Sequence, residues 1–321
     1  MPDYVLMTYN IKWMNKMFQS GQIKNSKREQ AESIAEVIMR IHPHILGICE
    51  AANEKTEHDH FIQQYLNNDY SVCMGTSRGG QNLVFYYRDP VKEVSVDSSI
   101  SNYNPWTTDI NNDGLDERYK WERKPLEAVF RLGQNGPTIR TILVHTKSKI
   151  VASVVDFHNF QKIALANRKK LVAQAMHLRS RVDTLIAPND SLPIVILGDM
   201  NDGPGLDPYE KTVGLSFVET VIGSVFEPNG IFHDVLYWMK RDNSAAVRKQ
   251  LWTTDFEDPI VSTSFGGKHR VWLDHILVSP DMLQANNQVH YKMDSGRIGD
   301  KDAIAKKASD HYPVYCTIQT I

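Results

Sequence analysis

Two short motifs in the C-terminal half carry the residue types that hydrolytic chemistry uses: Gly198-Asp199-Met200-Asn201 and Ser309-Asp310-His311. The continuous apolar run Pro193 to Leu197 reads as a buried strand, and Gly198 to Pro204 ends it. Residues two apart on an extended backbone point the same way. Asp199 and Asn201 can therefore share a face at the strand's end, one a base or ligand and the other an amide donor. Asp, Asn and Gly also dominate turns, so this pair alone reads equally well as a strand-to-turn cap.

Polar residues of the same kinds recur at the ends of other predicted strands. Asn10 ends the Tyr4–Tyr9 segment. Glu50 follows Leu46-Gly47-Ile48-Cys49, where burial would make a carboxylate without a partner costly. His145 ends the segment from Ile139 to Val144 and is followed by Lys147 and Ser148. Asp274-His275 interrupts Trp272-Leu273 and Ile276-Leu277-Val278, and Asp310-His311 opens the last strand. Each residue has a structural reading of its own: a helix cap for Glu50, a core histidine for His145, an ion-pair partner for Asp274. Together they point to one site.

The ordered set Asn10, Glu50, His145, Asp199-x-Asn201, Asp274 and Ser309-Asp310-His311 resembles the endonuclease/exonuclease/phosphatase family, also called deoxyribonuclease I-like. Arg123-Lys124-Pro125 is similar to the family's Arg-x-Pro segment, and Val144 to Ser148 to its His-x-Lys-Ser segment. The resemblance departs at Val144, where an asparagine often precedes the histidine, and at His275, which is expected to pack away from the site.

The resemblance implies a metal-dependent phosphodiester hydrolase. Such chemistry needs neutralised phosphoryl oxygens, an activated water and help for the leaving oxygen. Glu50 is the expected metal ligand, with Asn10 and Asp310 as further oxygen ligands or orienters; hard oxygen donors indicate Mg²⁺, with Mn²⁺ as a substitute. His311 is expected to bond the scissile phosphate while Asp274 holds its ring protonated. Asp199 would orient or deprotonate the water, Asn201 and His145 would donate to the phosphoryl oxygens, and Arg123 would add a guanidinium fork. A nuclease acting on DNA or RNA is the first expectation, a phosphatase or phosphodiesterase of an inositol-phosphate or sphingomyelin type the second. Arg78, Lys147, Lys149, Lys169 and Arg270 are placed to meet backbone phosphates. Trp106, Trp121, Phe265 and Trp272 could stack on bases, with core packing as the default.

The elements that must position these residues are short strands rich in β-branched and aromatic residues, interleaved with helices but without strict alternation. Segments 82–87 with 91–97, and 126–132 with 138–144, read as hairpins. Ser26 with Glu29 reads as a capping box opening a helix, and Phe157 to about Val182 as a longer helix with a basic face. Stretch 98–122 reads as a long loop. Within it Asp109, Asn111 and Asp113 open a calcium-type loop, but Lys120 stands where a bidentate Glu belongs, so a structural Ca²⁺ there is the lesser reading. The pattern predicts an α/β (α+β) fold of two mixed β-sheets packed face to face with helices outside, the family's four-layer sandwich, as a single domain over 1–321.

Composition fits this. The 321 residues are 41% hydrophobic and 23% charged with a formal net charge of −2, so any basic surface is local. Cys49, Cys73 and Cys316 are far apart and read as buried free thiols, which favours a cytoplasmic setting. No apolar run reaches the roughly 18 residues of a membrane helix. Nothing suggests a protein partner, and a monomer is expected.

Overall fold

The computed structural model describes residues 1–75, 80–97, 103–110, 113–151, 156–187, 192–242, 244–256 and 269–321. Within them the chain forms a seven-stranded and a six-stranded sheet. In chain order the strands are β1 (Asp3–Asn10), β2 (Ile45–Ala51), β3 (Ser71–Met74), β4 (Asn82–Tyr87), β5 (Val91–Val96), β6 (Leu126–Leu132) and β7 (Thr138–His145). There follow β8 (Ile194–Asp199), β9 (His233–Asp234), β10 (Asp274–Val278), β11 (Val289–Tyr291), β12 (Arg297–Ile298) and β13 (Val314–Thr320). The larger sheet runs β11-β13-β1-β2-β4-β3, with β12 also on β13; the smaller runs β9-β10-β8-β7-β6-β5. Each is mixed around one parallel pair, β1 with β2 and β7 with β8, flanked by antiparallel partners.

Successive strand side chains point to opposite faces, and this divides the apolar residues into layers. From β1, Leu6 enters the core between the sheets with Phe85, Phe130, Leu143, Leu197 and Ile276. The next residue, Met7, points outward and packs with Leu46 and Ile48 against Ile34 and Ile38 of α1 (Arg28–Ile41) and Phe61 of α2 (Lys55–Tyr65). On the far face of the smaller sheet, Ile142, Val144 and Ile196 meet Leu171, Ala175 and Leu178 of α3 (Phe157–Ile186). The result is the four-layer arrangement that the strand pattern and the family resemblance both predict. The sheets pack tightly at Gly47 of β2, where an added Cβ would stand 2.8 Å from Leu143 Cδ1 of the other sheet.

The hairpin 126–132 with 138–144 forms as β6 and β7. The other does not: 82–87 and 91–97 lie in different sheets, and β4 pairs with β2 and β3. All of β4 is buried except Tyr87, so it needs a strand on both edges and leaves none for β5. The capping box at Ser26 and Glu29 is also absent. Asn25–Lys27 is a 3₁₀ turn and no side chain caps α1, while Glu29 pairs with Lys307. A capping box occurs instead at α2, between Glu54 and Glu57. The expected long loop contains a two-stranded ribbon, Trp106–Thr108 with Glu117–Tyr119. The basic face of α3 is ion-paired: Arg168 with Asp207, Lys169 with Glu117, Lys170 with Glu122 and Arg181 with Glu127.

One backbone position governs how β8 ends. Gly198 has φ +139, and a Cβ there would lie 1.9 Å from the Val144 carbonyl oxygen of β7. A side chain must push β7 and β8 apart, adding a clash to an unfavourable backbone. Gly198→Ala is expected to lose about 3 kcal/mol or more of stability in urea denaturation, together with activity. A loss below about 1 kcal/mol would show that the pair relaxes without harm.

Candidate active site

Three neighbouring strands of the smaller sheet place one polar residue each in a row. In the β7–β8 register His145 stands opposite Asp199, and in the β8–β10 register Asp199 stands opposite Asp274. His145 Nε2 lies 3.4 Å from Asp199 Oδ2. The larger sheet meets this row from the other side: Asn10, at the end of β1, donates from Nδ2 to Asp199 Oδ2 at 2.8 Å. Glu50 follows Cys49, which pairs with Asn10 in register, and it sits where β2 shifts register against β4. Its φ of 58 marks a bulge that turns the carboxylate out of the ladder and toward the cleft.

The last motif is tied to both sheets. Ser309 Oγ donates to the Asn10 carbonyl at 2.7 Å and accepts the Lys12 N–H at 3.0 Å. His311 is thereby held with Nδ1 2.8 Å from Asp274 Oδ2 and Nε2 4.0 Å from Asp199 Oδ2. Thr253 Oγ1 accepts the N–H groups of Leu273 and Asp274, both at 3.0 Å, and Thr254 Oγ1 donates to the Asp310 carbonyl. Neither threonine stands out in the sequence, because a hydroxyl that only positions neighbours has no motif of its own.

Asn10, Glu50, Arg123, His145, Asp199, Asn201, Asp310 and His311 all line one open cleft of about 920 Å³; Asp274 stands behind His311. Arg123 donates to the carbonyls of His145 and Thr146 and to Gln81 Oε1, and no carboxylate pairs with it among the described residues. Asn201 has a positional part: its backbone N–H donates to Asp199 Oδ1 at 2.9 Å, and its amide to the Thr146 carbonyl. His275, as expected, turns away, between Asp234 Oδ2 at 2.6 Å and the Asp202 carbonyl, with its ring stacked on Trp272. Trp121 and Trp272 are buried, and Trp106 packs on His177. Lys149 pairs with Asp202 and Glu210, and Arg270 with Asp255. Arg78 and Phe265 lie outside the described residues.

Electrostatics divide the buried groups by role. Burial raises Asp199 to about 6; the Asp274 charge adds to this and the His311 charge opposes it. Burial disfavours the His311 imidazolium, but the carboxylates of Asp274 and Asp199 outweigh it and raise His311 to about 10. Near neutrality the pair is thus carboxylate and imidazolium. Burial, and then the charges of Arg123 and His311, hold His145 well below the usual histidine range, so it is neutral.

Ligand atoms of Asp199, Asp274 and His311 lie within 4.8 Å of one another, a spacing a metal could use. In this cluster His311 Nδ1 is already engaged by Asp274 Oδ2 at 2.8 Å. The oxygen-rich end at Asn10, Glu50 and Asp310 fits a hard cation better. Asn10 commits its Nδ2 to Asp199, and its Oδ1 is buried with no hydrogen-bond partner, an acceptor that a divalent ion would satisfy. Asp310 Oδ2 faces Lys12 Nζ at 2.7 Å. In the calcium-type loop, Asp109 accepts the N–H groups of Asp113 and Gly114, and Leu115 N–H donates to Asp113; Asn111 lies outside the described residues.

The profile of the Endonuclease/Exonuclease/phosphatase family matches residues 7–311. No curated protein sequence matches. Among solved structures, the chain is similar to D. rerio TDP2 complexed with a single strand DNA product, at TM-score 0.52 and 13% identity over 99% of each chain. It is also similar to an endonuclease/exonuclease/phosphatase from Bacteroides vulgatus (TM-score 0.53, 14% identity, 100% of each chain). A third is the human Nocturnin catalytic domain (0.50, 13%, 99% of this chain and 95% of that one). At these identities the likeness shows the fold.

The two shifts have opposite signs for stability. His311 lies above its ordinary 6.5, so its contribution is whole below pH 6.5 and lost as pH rises through about 10. Asp199 lies above its ordinary 3.8, so ionising it costs stability as pH rises from about 4 to 6. In metal-free protein the His311 ring, followed by NMR, is expected to stay protonated past neutrality and to titrate lower in Asp274→Asn. A wild-type midpoint below 7 would remove the imidazolium from the site.

Proposed function

The chain belongs to the endonuclease/exonuclease/phosphatase family, and from that premise we propose that it is a divalent-metal-dependent phosphodiester hydrolase acting on nucleic acid. The observation that carries this is the row His145–Asp199–Asp274 with the His311 imidazolium lying between the two carboxylates. Asp199, ionised above about pH 6, takes the proton from the attacking water, while Asn10 and the Asn201 backbone N–H hold it in place. Cationic His311, with Arg123 lining the same cleft, neutralises the phosphoryl oxygens as charge builds. Neutral His145 adds a donor without competing for the water's proton. Glu50, Asn10 and Asp310 would hold the Mg²⁺, or Mn²⁺ in its place; when bound, it supplies Lewis-acid stabilisation of the phosphoryl charge. The similar TDP2 fold complexed with single strand DNA product supports a nucleic-acid substrate. The three buried free thiols support a cytoplasmic setting.

One observation favours a second reading, a phosphatase or phosphodiesterase of a small or lipid-linked phosphate. Among the described residues, two of the three basic side chains that line the cleft are already paired with carboxylates, Lys12 with Asp310 and Lys149 with Asp202 and Glu210. A panel of single-stranded DNA, RNA, plasmid, an abasic duplex, bis-p-nitrophenyl phosphate and inositol phosphates, with Mg²⁺, Mn²⁺ or chelator, separates the readings. Cleavage of nucleic acid that chelator abolishes is expected. Asp199→Ala and His311→Ala should each lower kcat by about 100- to 10,000-fold. Wild-type rates in both variants would remove the site, and hydrolysis of inositol phosphates alone would promote the second reading.

A further inference from the structure

Trp13 is a large aromatic residue that the cleft keeps in solvent. It is 48% exposed and lines the cleft, while its neighbours Ile11 and Met14 are fully buried. Its backbone is left-handed, φ 51, a conformation that bulky residues rarely adopt. The strained backbone is held by a bond into the site itself, from Trp13 N–H to Glu50 Oε2 at 2.8 Å, and Glu50 is left-handed too. Lys16 Nζ lies 3.8 Å from the ring centre and Lys12 Nζ 5.7 Å. Core packing does not account for a ring that is outside the core. Strain of this kind persists where the surroundings impose it, and it clusters at ligand contacts. Three residues of chain, at most about 11 Å, separate Trp13 from Asn10.

The charges around the cleft limit what can hold a long substrate. Lys12 pairs with Asp310, Lys149 with Asp202 and Glu210, and Arg168 with Asp207. Arg123 is the cleft cation without such a partner among the described residues. Among the described residues that line the cleft, Arg123 is thus the one cation left for a run of backbone phosphates, whereas a base would find the half-exposed Trp13 ring, with Lys16 Nζ over it. Resting on the reading of this site as a nuclease, we infer that Trp13 is the stacking platform for a nucleobase next to the scissile phosphate. The substrate is then single-stranded nucleic acid, gripped by base faces rather than along a phosphate track. Duplex buries those faces; a single strand offers them, whatever its sequence.

The test compares kcat/KM, with Mg²⁺, on a single-stranded oligonucleotide and on its counterpart with tetrahydrofuran abasic residues on both sides of the cleaved bond. Trp13→Ala should lose about 5- to 150-fold on the intact strand, the range expected for one stacked base, and little on the abasic one. Trp13→Phe should restore the preference for the intact strand. Trp13→Gly relieves the left-handed strain, so it should melt no lower than wild type while losing as much activity as Trp13→Ala. Wild-type log kcat/KM should fall with log salt no more steeply than about −1.4, the slope for two phosphate contacts on a single strand. Equal losses by Trp13→Ala on both strands, or none on either, would overturn the platform while leaving the nuclease reading intact. A wild type that cleaves neither strand but hydrolyses inositol phosphates would overturn both.

Discussion

The site depends on strand register at one place, where β7, β8 and β10 lie side by side and set His145, Asp199 and Asp274 in line. Side chains alternate across a strand with period two, so a slip of one residue would turn each of these groups to the opposite face. The hydrophobic layers enforce the register: the same strands send Leu143, Leu197 and Ile276 into the core between the sheets and Ile142, Ile196 and Leu277 toward α3. Gly198 lets β8 close on the Val144 carbonyl just before the register delivers Asp199.

A second constraint is electrostatic. Asp199 and Asp274 are both buried, and two buried carboxylates repel each other and lose their hydration. The His311 imidazolium offsets both costs, bonded to Asp274 and within 4.0 Å of Asp199. The cation sits between two anions of the smaller sheet because Ser309 ties its segment to Asn10 of the larger sheet and Thr254 holds the Asp310 carbonyl. The packing of the two sheets and the protonation of one histidine are therefore linked. The same arrangement gives one acid able to take a proton near neutral pH and one cation that keeps its own.

Much of this was legible in the chain. Asp199, His311, His145, Asn10 and Glu50 are strand-end polar residues following apolar runs, a contrast strong enough to read directly. The layers were legible for the same reason, since Leu6 and Met7, or Ile142 and Leu143, alternate between two apolar environments. The hairpin of 82–87 with 91–97 misled because both segments look like strands and a short turn joins them. Only the burial of β4 on both faces shows that its two edges were already taken. The capping box at Ser26 misled for a similar reason: a local pattern competed with a 3₁₀ turn and with Lys307, some 280 residues away, which claims Glu29.

By itself, the sequence determined which residue types end the strands and the family they resemble, because these follow from local pattern and order along the chain. The tertiary structure alone decided that Asn201 acts through its backbone on Asp199, that Thr253 and Thr254 support Asp274 and Asp310, and that Lys12 and Lys149 at the cleft are already paired. It alone showed Trp13 held open at the cleft. Hydrogen bonds, ion pairs and exposure are set by distances between segments remote in sequence, which no local spacing encodes.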